Sequence, residues 1–241
     1  TRLIERLGDG TWRFAAYVWN EAGTEATLAP QAGVPALAVG GAPRGRYGIP
    51  AEPDCRACHE GAAVPVLGAS ALQLSPDRDA LAPHAEPRGK GDVDLRDLVL
   101  RGLLRNLPRE ILQIPPRIAA ATQDERAALG YLHANCAHCH NDDGSPPPVD
   151  LVLAQGAAGK SSVVPSLLGA RSRYRAAGTH AAAAVIEAGR PEASLLVARM
   201  RSRSPLTQMP PLGTQETDHV ALALIERWIR DQPLIRKEHR P

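Results

Sequence analysis

At 241 residues and a formal net charge of +2, the chain lacks the field that would hold nucleic acid or an anionic membrane surface, and it can form one large domain or two small ones. No apolar run reaches the ~18 residues needed to cross a bilayer, so no transmembrane segment is expected in this chain. Only 3% of residues are aromatic, with a single Phe, against 22 Pro and 21 Gly. The rings that usually fill an interior are scarce, and something other than side chains is needed to fill it.

The first elements read as β-structure. Residues 1–7 and 11–19 flank Gly8-Asp9-Gly10, a hairpin turn signal, and half of the aromatic residues (Trp12, Phe14, Tyr17 and Trp19) lie in the second run. Apolar residues occupy both odd and even positions there, which predicts a strand packed on two sides. Residues 20–23 read as a turn, with a short strand around 26–29. From 30 to 54 the chain is rich in Gly and Pro, and Pro50 and Pro53 argue against a helix ahead of Cys55. Leu95, Leu98, Val99 and Leu103 mark one face of a helix over 93–106, with Asp92 as its cap and Pro108 as its stop.

Thr122 and Glu125 form a capping-box pattern that opens a helix whose Ala128, Leu132 and Cys136 share a face. Residues 141–150 form a loop with three consecutive prolines, and 155–190 are small and poorly periodic. Pro191 opens a short helix running to about 203. The strongest helix covers 218–231, where Ala221, Leu224, Ile225, Trp228 and Ile229 make an unbroken apolar stripe before Pro233.

All four cysteines fall into two copies of one pattern, Cys55-Arg56-Ala57-Cys58-His59 and Cys136-Ala137-His138-Cys139-His140. Cys-x-x-Cys-His is the attachment pattern of c-type haem. Its two thiols add to the two vinyl groups on one porphyrin edge, and the neighbouring His supplies the iron's proximal ligand. A zinc site built from two such pairs expects ~15–20 residues between them, whereas 77 intervene here. Redox dithiols of the thioredoxin kind open a helix after a strand, and neither motif does so by its sequence. Disulfides within each motif would close loops too short to constrain the chain. Two covalent haem c groups are therefore expected, with His59 and His140 on the irons. Two porphyrins would also fill the interior that the scarce aromatics leave short.

Residues 120–232 resemble class I cytochrome c: a helix runs into the second motif, Met209-Pro210-Pro211-Leu212-Gly213 follows far downstream, and the last helix carries Trp228. The resemblance implies that Met209 delivers its sulfur to the second iron, and that the two helices cross with Ala128 against Trp228. The longer insertion at 141–190 departs from that family. Met200, the other methionine, reads as packing. For the first iron, His84 is the candidate ligand, the one histidine between the first motif and the helix that enters the second; an open site, His180 or another His are the alternatives. His133, His138 and His219 read as surface residues. Residues 12–30, 47–75 and 129–145 also resemble a family of bacterial di-haem cytochromes.

The fold class expected from these readings is mainly α with irregular loops. It has a small β-rich N-terminal segment (1–48), a loop-rich first haem region (49–119) and a class I cytochrome c-like second haem domain (120–241).

Asn141-Asp142-Asp143-Gly144 lacks the alternating oxygen ligands and distal Glu of a calcium loop and reads as a turn. The arginines at 171, 173, 175, 199, 201 and 203 read as a solvated face, with a docking patch for an acidic partner or contacts to haem propionates as the other reading. No nucleophile motif or nucleotide fingerprint is present. The expected function is a one-electron relay, with electrons passing from the first haem to the second because His/Met ligation has the higher potential. Its partners would be a donor dehydrogenase or quinol enzyme and a terminal acceptor. Haem attachment implies a periplasmic or otherwise extracytoplasmic location, and the opening Thr1-Arg2-Leu3-Ile4 leads us to expect a targeting segment upstream. The rivals are a peroxidase-like di-haem enzyme with a vacant first iron, and a subunit of a larger respiratory or photosynthetic complex attached through residues 1–48.

Overall fold

The structure, a computed structural model, describes residues 1–62, 64–85, 89–142, 151–157, 163–172, 174 and 183–233. Strand β1 (Arg2–Arg6) pairs antiparallel with β2 (Trp12–Trp19), and β3 (Ala26–Leu28) pairs with the other edge of β2. The connecting turn forms because Asp9 accepts hydrogen bonds from the Thr11 amide (2.9 Å) and hydroxyl (2.7 Å), while Gly10 takes φ 87°.

Register decides which face of this sheet is covered. Ile4 lies opposite Phe14, and Phe14 is buried against His59 of the first Cys-x-x-Cys-His motif. Leu3 lies opposite Ala15 and Leu28 opposite Tyr17, so Leu3, Tyr17, Trp19 and Leu28 share the other face. There Leu3, Trp19 and Leu28 are exposed. The two-sided packing expected of β2 is therefore one-sided.

Residues 30–54 hold more structure than their Gly and Pro content suggests. Strand β4 (Val34–Ala38) pairs antiparallel with β5 (Arg46–Ile49), and helix α1 (Glu52–His59) starts at Pro50's heels and contains the first motif. Pro53 is tolerated because it sits in the first helical turn, where its missing N–H would have had no partner. The Asp54 carboxylate accepts from the Ala51 amide (3.0 Å) and caps the helix.

The helix expected over 93–106 is shorter, α2 (Leu95–Leu100), and its cap is Asp94 rather than Asp92. It ends where Gly102 adopts φ 69°, with the Gly102 amide donating to Val99 O (3.0 Å) and the Leu103 amide to Leu98 O (2.9 Å). That left-handed glycine cap stops the chain before Leu103, which is left 71% exposed. After a short α3 (Arg109–Gln113) comes α4 (Gln123–Cys136), with Thr122 Oγ1 accepting from the Glu125 amide (3.1 Å) as its sequence implies.

The remaining helices are α5 (Val164–Leu167), α6 (Leu195–Arg201) and α7 (His219–Arg230), the last capped by Asp218 Oδ1 on the Ala221 amide (3.0 Å). Helices α4 and α7 pack together around one core in which Ala128, Leu132, Ile225, Trp228 and Ile229 are almost fully buried. Arg227 holds Asp124 across this pair at 2.6 and 3.0 Å. The middle region joins the same body: Leu72 packs on the core, and Arg126 of α4 reaches Asp79 (3.4 Å).

The expectation of a mainly α chain with a class I cytochrome c-like C-terminal domain is corrected by this architecture. The structure is mixed, 30% helix and 14% strand, with two small antiparallel sheets, and is not clearly cytochrome-like. The physical reason lies at both ends of the chain. The first 49 residues make five strands, adding β4 and β5 to the hairpin and short strand expected there. Between α4 and α6 the prolines and small residues support only one four-residue helix, a 3-10 turn at Pro191–Ala193 and the isolated bridges Leu168–Ile186 and Arg171–Ala184 among the described residues.

Candidate functional site

Helix α1 presents the first motif. The Phe14 ring lies 5.9 Å from the His59 ring, and Arg56 stacks over Phe14 at 5.1 Å while bridging Glu52 (2.8 Å) and Glu60 (2.5 Å). The side of His59 is fixed by a hydrogen bond: its Nδ1 lies 2.8 Å from the Pro65 carbonyl oxygen. A carbonyl can only accept, so Nδ1 carries the proton and Nε2 keeps the lone pair that an iron needs.

The second motif lies at the C-terminus of α4 and in the turn that follows, where the Cys139 and His140 amides donate back to Cys136 O (3.1 and 2.9 Å). The returning chain seats His140: the Leu153 amide donates to its carbonyl (2.8 Å). Its ring is half-buried, and no hydrogen bond of good geometry reaches its buried Nδ1 among the described residues. Burial holds the His140 pKa below the ordinary value, against the pull of the nearby Leu151 backbone and with smaller contributions from Arg199 and His138. A neutral imidazole is the ligand form.

Tertiary folding presses the two motifs against each other. Cys139 Sγ lies 3.8 Å from the Ala57 carbonyl, and Asn141 Nδ2 donates to the carbonyls of Gly61 and Ala137, both at 2.8 Å. A methyl group at Gly61 would run into the His138 carbonyl. His59 in turn helps to lower the His138 pKa, after burial. Nothing in the sequence singles out this contact, because its partners lie about eighty positions apart and only one glycine and one asparagine carry it.

The donor set fits covalent haem. All four cysteines are free thiols, and burial raises the pKa of each, that of Cys136 to about 12. Reactive dithiols and thiolate metal ligands are favoured by a lowered pKa; a thioether is neutral and suits these surroundings. Among the described residues no three His, Cys, Asp or Glu side chains gather as a metal-ligating group. Directly after the first motif Val64, Val66 and Leu67 are exposed, 60% for Val64, which leaves apolar surface that a porphyrin face would cover.

Met209 lies half-buried in a loop that is braced from both sides. Its amide donates to Arg199 O (3.0 Å), and the buried Gln208 side chain donates to the carbonyls of Pro210 (3.2 Å), Pro211 and Thr214 (3.4 Å). Gln208 is a positioning residue that sequence reading missed. Arg199 donates to Thr207 O (3.0 Å) with its guanidinium 4.4 Å from the Tyr174 ring, and Arg203 reaches Thr214 Oγ1 (3.0 Å) and the Met200 carbonyl. These arginines are therefore loop braces more than a solvated face, while Arg201 pairs with Glu226 (2.6 Å). Arg173 and Arg175 lie outside the described residues. Met200 is a buried member of the core.

His84 sits at φ 58°, with its side chain 63% exposed and Nε2 2.9 Å from Asp218 Oδ2, at the cap of α7. No contact places it beside His59 among the described residues. His180 lies outside them. His133 is half-buried and uses both nitrogens: Nδ1 accepts from the Gln155 amide (3.1 Å), and Nε2 lies 3.2 Å from Ser70 Oγ. His138 is half-buried at the motif contact, and His219 is exposed. Compared with known proteins, the chain matches no family model, no curated protein and no solved structure, so the chemistry of this site is read from its own residues.

Proposed function

We propose that the chain is a periplasmic di-haem c-type cytochrome that relays single electrons, from the haem at Cys55, Cys58 and His59 to the haem at Cys136, Cys139 and His140, between other redox proteins. Each haem, when bound, supplies a one-electron iron couple whose potential depends on its axial ligands. The chain's own residues tether, orient and shield. The four thiols would anchor the two groups, and His59, whose Nε2 keeps its lone pair, and His140 would hold the irons. Met209, held by Gln208, Arg199 and Arg203, would supply its sulfur to the second iron. The observation that carries the reading is the His59 Nδ1–Pro65 carbonyl bond, which fixes the tautomer a haem ligand needs within a motif whose chemistry is haem attachment. Partners of the kind expected are a donor dehydrogenase or quinol enzyme and a terminal acceptor.

The test is mass spectrometry of denatured protein matured in a periplasm. Two haems should remain on the chain, because thioethers survive unfolding. One haem, or a bare polypeptide mass, overturns the reading.

A second reading has an observation of its own. His84 Nε2, the nitrogen it would offer an iron, is engaged by Asp218. If His84 stays there in the holoprotein, the first iron has a vacant face and the protein is a peroxidase-like enzyme. His84→Ala separates the two: a change from low spin to high spin makes His84 a ligand, and an unaltered spectrum with CO binding in the wild type favours the enzyme.

A further inference from the structure

Each attachment motif is complete by itself in sequence, yet the structure joins them through backbone. Gly61, two residues past His59, lies so close to the His138 carbonyl that no side chain fits. Asn141, the residue after His140, spends one amide group on both sides of this seam, on Gly61 O and Ala137 O at 2.8 Å. The second thiol of the later motif also reaches this seam, its Sγ lying 3.8 Å from the Ala57 carbonyl of the first motif. None of these contacts is needed to attach or ligate a haem.

We infer that Gly61 and Asn141 form a clamp that locks the two attachment motifs into one rigid unit and so sets the spacing and mutual orientation of the two haems. The inference rests on the di-haem reading above. A porphyrin tied by two thioethers and one imidazole has no freedom to leave its motif. Seating the motifs back to back therefore fixes one macrocycle against the other. Gly61 permits the approach, and Asn141 holds it: the amide is the smallest side chain that donates two hydrogen bonds from one nitrogen to two carbonyls. Both are positioning residues, since neither is assigned to the iron or the porphyrin.

The experiment uses purified holoprotein and circular dichroism in the Soret region, where two closely held haems give a paired positive and negative signal by exciton coupling. Wild type should show that couplet. Asn141→Asp keeps the size of the side chain but removes both donors; Asn141→Ala removes the group, and Gly61→Ala forces the motifs apart. Each variant should keep two haems by mass and its ordinary absorption bands, yet lose the couplet. Should Gly61→Ala not be recovered as folded protein, Asn141→Asp decides. Wild type with two haems and no couplet overturns the clamp alone, as does an Asn141→Asp protein whose couplet is unchanged. A chain that carries fewer than two haems overturns the underlying reading, and the clamp with it.

Discussion

At the scale of single residues, the two methionines differ in burial, and the proposed ligand is the less buried one. Met200 is 8% exposed inside the core, whereas Met209 lies half-buried at the tip of a braced loop. Met209→Ala should abolish the weak sulfur–iron band of the oxidised second haem and lower that haem's potential, as read by near-infrared absorption and redox titration. Met200→Ala should leave both unchanged and instead lower stability by about 2–5 kcal/mol, the range for emptying a buried Met site. If Met200→Ala removes the band, the ligand assignment is reversed. The two Cys-x-x-Cys-His motifs are legible from residue identity and spacing, and Met209 is proposed from the resemblance of the loop around it. Gln208 and Asn141 are not legible in this way, because an amide gains its role only from the carbonyls that folding brings to it.

At the scale of elements, caps and registers explain where expectation and structure part. Thr122 and Asp218 carry their helix starts in their own side chains, so α4 and α7 were readable. Asp218→Ala should lower stability by about 1 kcal/mol in denaturant titration, the usual loss for an N-cap. Trp228→Ala should cost about 3–5 kcal/mol, since its side chain is 1% exposed between α4 and α7. The Arg227–Asp124 pair tests the same seam through pH. Its hydrogen bonds hold the Asp124 carboxyl below the usual carboxylate range. A group with a depressed folded pKa stabilises above its unfolded pKa and ceases to as pH falls through the folded one. Asp124→Asn should therefore cost no more than about 1 kcal/mol at neutral pH, the pair being partly exposed, and nothing once the pH falls below the folded pKa. A gap that persists in acid would mean that packing, not charge, ties these helices. α2 was overextended because apolar spacing continued to Leu103, while Gly102 had already turned the backbone left-handed.

At the scale of the whole molecule, the described residues form one core over α4, α6 and α7, with both motifs joined at its edge. Few aromatics line it, and apolar side chains remain exposed, Val64 directly after the first motif and Leu206 at 86% in the loop before Met209 among them. Removing the second attachment site with Cys136→Ala and Cys139→Ala together should leave α7 protected in hydrogen exchange less than in the holoprotein. Native-like protection would mean that the side chains fill the interior unaided.

What the sequence determined by itself is local: two Cys-x-x-Cys-His motifs, the helix starts at Thr122 and Asp218, and the apolar stripe of α7. Each of these is written in residues a few positions apart, where chain geometry already places the groups together. Tertiary structure alone decided the mixed architecture, the bare face of β2, the hold of Asp218 on His84 and the contact of one motif with the other. Those depend on pairs separated by tens of residues, and the spacing of such pairs is set by how the elements pack rather than by any local rule.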